Sequence, residues 1–118
     1  MNVFIVNHYF GSYDDAVVVT LKAFLKQEKA QKFINELEIR VKKRNEIEDQ
    51  INEATKDKYE QLRTMYENKK QKEREKLYLE ISEIRHSILN KLALEELCDF
   101  NDLHFDSNFG IQEIELVE

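Results

Sequence analysis

At 118 residues the chain has room for one domain, or one small domain carrying an elaboration, which argues against a large multi-part active site. Its single cysteine, Cys98, excludes an internal disulfide, the longest apolar run (residues 16–21) is far too short to span a bilayer, and "MNVFIVNHYF" has neither the basic n-region nor the cleavage site of a secretory signal, so a soluble cytoplasmic protein is expected. The net charge of -6 is unevenly placed: no Lys or Arg follows Lys91, whereas Glu95, Glu96, Asp99, Asp102, Asp106, Glu113, Glu115 and Glu118 are all acidic, a polarity that suits a basic partner better than unselective nucleic-acid binding.

Residues 3–10, VFIVNHYF, are rich in β-branched and aromatic side chains and apolar on both alternating faces, the pattern of a central strand. Gly11, Ser12, Asp14 and Asp15 supply turn chemistry, which accounts for the adjacent carboxylates without a converging catalytic pair. The next run, VVVTLKAFL, sets Val17, Val19, Leu21, Ala23 and Leu25 on one face and Val18, Thr20, Lys22 and Phe24 on the other. It reads as a half-buried strand closing an antiparallel hairpin through a loop of about five residues. A helix follows just after Leu25, with Ala30, Phe33, Ile34, Leu37 and Val41 at helical spacing to cover one sheet face, although neither Lys26 nor Gln27 is a good N-cap.

The chain has no proline, and no glycine between Gly11 and Gly110, so the long charged middle needs another way to turn. Residues 67–76, ENKKQKEREK, contain no apolar side chain, and stripes run up to them (Ile47, Ile51, Tyr59, Leu62) and away from them (Leu77, Ile81, Ile84, Ile88, Leu92). A reversal near Lys69 and Lys70 brings Leu62 to Leu77, Tyr59 to Ile81, Ile51 to Ile88 and Ile47 to Leu92, and sets Arg44 against Glu95 and Lys43 against Glu96. Asn68, tolerant of a left-handed backbone, stands in for the missing glycine. The legs, about 42–68 and 72–98, then match in length, and at 1.5 Å per residue the arm projects on the order of 40 Å. Two other layouts compete. An earlier reversal at NEATKD would use Asn52, Thr55 and Asp57. One uninterrupted coiled-coil helix would place Arg44, Glu48, Thr55 and Lys58 at seam positions, costly unless locally compensated.

At the C-terminal end FGIQEIELV resumes a strand pattern, with Phe109 and Ile111 out of phase with Ile114 and Leu116; a bulge near Gln112 would reconcile them. Taken together, the strands "NVFIVNHYF" and "VVVTLKAFL", the helix "KQEKAQKFINELE" and the closing "FGIQEIELVE" resemble the small uncharacterised β-β-α-β domains of bacteria and their phages, over roughly the first forty and last ten residues. The resemblance implies a fold and no catalytic residues, since that group shares none. The expected architecture is α+β: a small antiparallel sheet base formed by 1–41 and 99–118, with 42–98 inserted as a projecting antiparallel helical hairpin, a coiled-coil arm.

Few residues suggest chemistry. His8 sits among apolar strand neighbours and His86 between stripe residues Ile84 and Ile88, neither in a recognisable nucleophile setting. In CDFNDLHFDSNFG, Cys98, Asp99, Asp102, His104 and Asp106 could crowd a cation. Counted from Asp99, however, the calcium-loop glycine is missing from the sixth position and Gly110 occupies the twelfth, where a bidentate Glu is needed; a zinc site would want more Cys and His. The plainer expectation is a loop in which Phe100, Leu103 and Phe105 close the core. Two glycines so far apart make no phosphate loop. No catalytic residue, metal or cofactor is expected, and the chain is read as not an enzyme.

The functional expectation is a protein-binding module acting through an acidic face of Glu95, Glu96, Asp99, Asp102 and Asp106 and through the helical arm. Its partner would be a larger host protein or protein–nucleic acid complex, as for a phage-encoded inhibitor of a host defence complex. Against this stands the plain possibility that the acids only keep the chain soluble. An alternative is nucleic-acid binding through the arm tip, where Arg63, Lys69, Lys70, Lys72, Arg74 and Lys76 interleave with Tyr66 and Tyr78 but are diluted by Glu67, Glu73 and Glu75. A third is homo-oligomeric scaffolding, as a homodimer through a free sheet edge or through Leu79 and Leu89. No membrane partner is expected.

Overall fold

The computed structural model describes residues 1–11, 16–68 and 71–117, and of residues 66–68 the backbone alone. The fold is α+β, in the order β1 (Asn2–Phe10), β2 (Val17–Phe24), α1 (Gln27–Asn68), α2 (Gln71–Leu89), α3 (Leu94–Asp102) and β3 (Asn108–Glu115). The chain divides into two compact units, residues 1–44 with 99–118, and residues 45–98.

In the sheet unit the strand order is β2-β1-β3, antiparallel throughout, so the run that is apolar on both faces is the central strand. Val6 is fully buried against Ala30 and Ile34 of α1, and Phe4, Phe24, Phe33, Phe109 and Ile111 pack around them. The helical period of α1 thus meets the two-residue period of β1 on one face of the sheet. The other face is partly polar: Asn7, only 6 % exposed, donates to Tyr9 Oη and Gln112 Oε1 at 3.4 Å each and accepts from Thr20 Oγ1 at 3.1 Å. Gly110 sits under the Tyr9 ring, where a Cβ would come within 3.2 Å of Cε2, so any other residue would have to push the ring aside by a few tenths of an ångström.

Two expectations about the sheet are corrected. The bulge lies in β2 and not near Gln112. Val6 pairs with Lys22 and Asn7 with Thr20, leaving Leu21 as the extra residue, whereas β3 pairs one-to-one with β1 from Asn2 opposite Glu115 to Tyr9 opposite Asn108. The strict alternation expected of β2 therefore breaks at Leu21. Lys22 and Phe24 join Val17 and Val19 on the α1 face, where the Lys22 ammonium lies over the Phe24 and Phe33 rings at 5.4 and 5.6 Å. Nor is β2 half-buried: Val17, Val18, Val19 and Leu21 are 42, 59, 40 and 39 % exposed. Gly11 adopts a left-handed φ of 87°, as a turn glycine should; Ser12, Asp14 and Asp15, expected to complete the turn, lie outside the described residues.

In the helical unit α1 and α2 pack antiparallel, through Leu62, Leu77 and Ile81 with Met65 against them. The expected partners Leu62 and Leu77 do share this cluster, while the reversal near Lys69 and Lys70 falls outside the described residues, between helices ending at Asn68 and beginning at Gln71. The seam of α1 differs from the expected stripe. Tyr59 is 51 % exposed, and Ile47, Ile51, Thr55 and Leu62 are the buried positions. Thr55 is buried on this seam and Lys58 is half-buried beside it, each compensated locally. The Thr55 hydroxyl donates to the Ile51 carbonyl at 2.7 Å, and Lys58 Nζ donates to Glu80 Oε2 at 2.7 Å, which holds the Glu80 carboxyl below its ordinary range.

The descending leg is not one helix to Cys98. Asn90 to Leu92 bond back to His86, Ile88 and Leu89, the last two as tighter i−3 bonds that end α2. A new helix then starts, with Glu96 Oε1 accepting from the Ala93 N–H at 3.2 Å, half of a capping box that the sequence hides behind an Ala at the N-cap. This helix, α3, also replaces the first part of the loop expected from Asp99 onward.

Candidate functional site

A groove of about 440 Å³ lies between the sheet and α1 in the sheet unit. Its walls are His8 and Phe10 of β1, Val19 and Leu21 of β2, and Phe33, Leu37 and Arg40 of α1; Asp102 and Leu103 close one end. The β2 bulge puts Leu21 in this wall, because it lets neighbouring residues face the same side. Leu103 and Phe100 are buried as expected, but Phe105 is 71 % exposed. Ser107 N–H bonds the His104 carbonyl at 3.0 Å and Ser107 Oγ accepts from the His104 N–H at 2.8 Å, a tight turn that swings Phe105 outward.

His8 is the buried titratable group of the groove, 5 % exposed, with Nε2 2.8 Å from Ser107 Oγ. Its ring stacks on Phe109 at 5.0 Å and meets Phe10 at 4.7 Å, and Phe10 stacks on His104 at 4.1 Å. Ninety-nine positions separate His8 from Ser107, and no local motif announces the pair. The Ser107 Oγ is already held by the His104 amide, and the imidazole is enclosed by aromatic faces, so the contact serves as the hydrogen bond that satisfies a buried histidine.

Burial, and then the neighbouring His104, lower the His8 pKa below 6.5, with Asp106 opposing them. The folded state therefore favours neutral His8, while the unfolded chain takes up a proton near the ordinary value. Stability contributed here is intact above about pH 6.5 and is lost as pH falls from there toward the lowered folded value. Urea titrations on either side of that value should show lower stability on the acid side, and the dependence should shrink in His8→Phe; an unchanged slope would remove His8 as its source.

The expected acidic residues have separate tasks. Asp99 accepts a guanidinium fork from Arg40, through Nε at 3.0 and 3.1 Å and a close Nη2 contact, with only 13 % of its side chain exposed. Asp106 accepts the Gly11 N–H at 3.1 Å, and Asp102 is exposed on the groove rim. Glu95 and Glu96 occupy the first turn of α3, where a negative charge is favoured by the helix dipole. Arg44, expected opposite Glu95, donates to the Leu103 carbonyl at 3.1 Å and lies over the Phe100 ring at 5.1 Å. In the helical unit, Arg63, Lys72 and Lys76 are exposed and Arg74 is half-buried, while Lys69 and Lys70 lie outside the described residues. Among the described residues no three His, Cys, Asp or Glu side chains gather as a metal site, Cys98 is an exposed free thiol, and no helix is long and apolar enough to cross a membrane. Compared with models of known families, with curated proteins and with solved structures, the chain shows no match.

Proposed function

We propose that the chain is a protein-binding module whose docking surface is the groove of the sheet unit. What supports this reading is one observation: an open, largely apolar groove with the exposed carboxylate of Asp102 on its rim. A segment presenting an apolar side chain next to a basic one would fill it and meet Asp102. With Asp99 satisfied by Arg40 and Asp106 by Gly11, Asp102 carries the acidic recognition expected of the wider set. The setting we propose is a phage-encoded inhibitor meeting a basic surface of a larger host protein or protein–nucleic acid complex, in keeping with the small size and net negative charge. Affinity capture from a host extract, followed by titration of the recovered partner, tests the reading. Asp102→Lys should weaken binding about tenfold or more, some 1.4 kcal/mol, with unchanged helical content. Undiminished affinity would remove the groove from consideration.

A further inference from the structure

The two outer strands of the sheet are guarded differently. β3 carries Glu113 and Glu115, charges of the kind that discourage a free edge from pairing. From Val17 to Leu21, β2 has no charge at all and exposes valines and a leucine in succession. Such an edge, left bare, is a template for another strand. We propose that it pairs antiparallel with β2 of a second copy, joining two three-stranded sheets into one.

The register follows from the faces. A two-fold axis maps each sheet face onto the same face of its partner, so residues placed opposite one another must share a side. Val17, Val19 and Leu21 are on the α1 side and Val18 and Thr20 on the other. The faces allow an axis through Val18 or Val19, and the one through Val19 also pairs the whole uncharged stretch 17–21 within itself: Val19 meets its own copy, Val18 meets Thr20, and Val17 meets Leu21. A shift of one residue sets Val18 against Leu21 across opposite faces. The charges agree with this register. Lys22, the one charge of β2, follows the bulge and lies beyond the paired stretch 17–21, so the two copies of Lys22 stand at opposite ends of the seam. The pairing is repeated twice by symmetry, with no like charges opposed. Val19 opposite its own copy sets two β-branched side chains together on the pleated surface, where such side chains pack well.

This inference rests on the protein-binding reading only in giving the edge to a polypeptide, and its test is independent of the capture experiment. Light scattering on the whole protein at tens of micromolar should give twice the 14.2 kDa of one chain, falling toward one copy on dilution. Val19→Lys sets two ammonium groups against each other on the axis and should give one copy throughout, while Val19→Thr, which keeps a neutral β-branched edge, should retain two. In a Cys98→Ala background, mild oxidation should cross-link Val19→Cys with itself and leave Val18→Cys uncross-linked. A single-copy mass for the unaltered protein, or a two-copy mass that survives Val19→Lys, would overturn the pairing; neither result would touch groove binding to another protein.

Discussion

Ile34→Ala should destabilise the sheet unit by about 2–5 kcal/mol, read as a lower urea midpoint at constant slope. Ile34 is 4 % exposed and sits where α1 closes on the sheet, against Val6, which has no exposure at all, and Ala30. The aromatic rings of Phe4, Phe24, Phe33 and Phe109 around this centre are large and anchored on different elements, so they cannot all move in to fill the space that alanine leaves. A chain of this size has a total stability on the order of 5–15 kcal/mol, so the variant should approach the folding threshold. A loss under about 1 kcal/mol would mean that the Val6 cluster is not the centre of the core.

Leu62→Ala should cost about 2–4 kcal/mol, toward the lower part of the range for buried leucines, because a pair of helices can close up more readily than a sheet covered by a helix. Leu62 is 6 % exposed and shares its cluster with Leu77 and Ile81. The loss should be local. Native-state hydrogen exchange should accelerate across α2 (Gln71–Leu89), while the amides of β1 in the sheet unit keep their protection, as for two units with separate cores. Equal acceleration in β1 would show that the chain opens as one cooperative body.

Much of the fold was legible because it rests on periodicity. The two-sided apolar pattern of β1 announced a central strand, the spacing of Ala30, Ile34 and Leu37 announced a covering helix, and the polar gap at 67–76 announced the break between α1 and α2. What stayed hidden was the work of single hydrogen bonds. Thr55 and Lys58 look too polar for a seam until the Ile51 carbonyl and Glu80 are seen beside them. The start of α3 has no capping side chain at Ala93, and its signal is carried by Glu96 reaching back. Of the site, the acids could be named but not sorted. Only the fold shows that Arg40 occupies Asp99 and that Asp106 holds Gly11, which leaves Asp102 at the groove. The pairing of His8 with Ser107 joins the two ends of the chain and had no local trace at all.

Leu21 has an unusual status in this chain. If it is struck from the text, Thr20 is followed by Lys22, and every remaining partner across the ladder is kept, from Phe10 with Val17 to Phe4 with Phe24. Inward and outward side chains would then alternate without a fault. The ladder with β1 has no use for this residue; within one copy it supplies a wall for the cleft and a local coil in the ribbon. Among descendants of a common ancestor, a gap at this point would mark a gain or loss of groove shape on an unaltered scaffold, and an alignment that slid the gap into the neighbouring loop would misplace every inward-facing side chain before it.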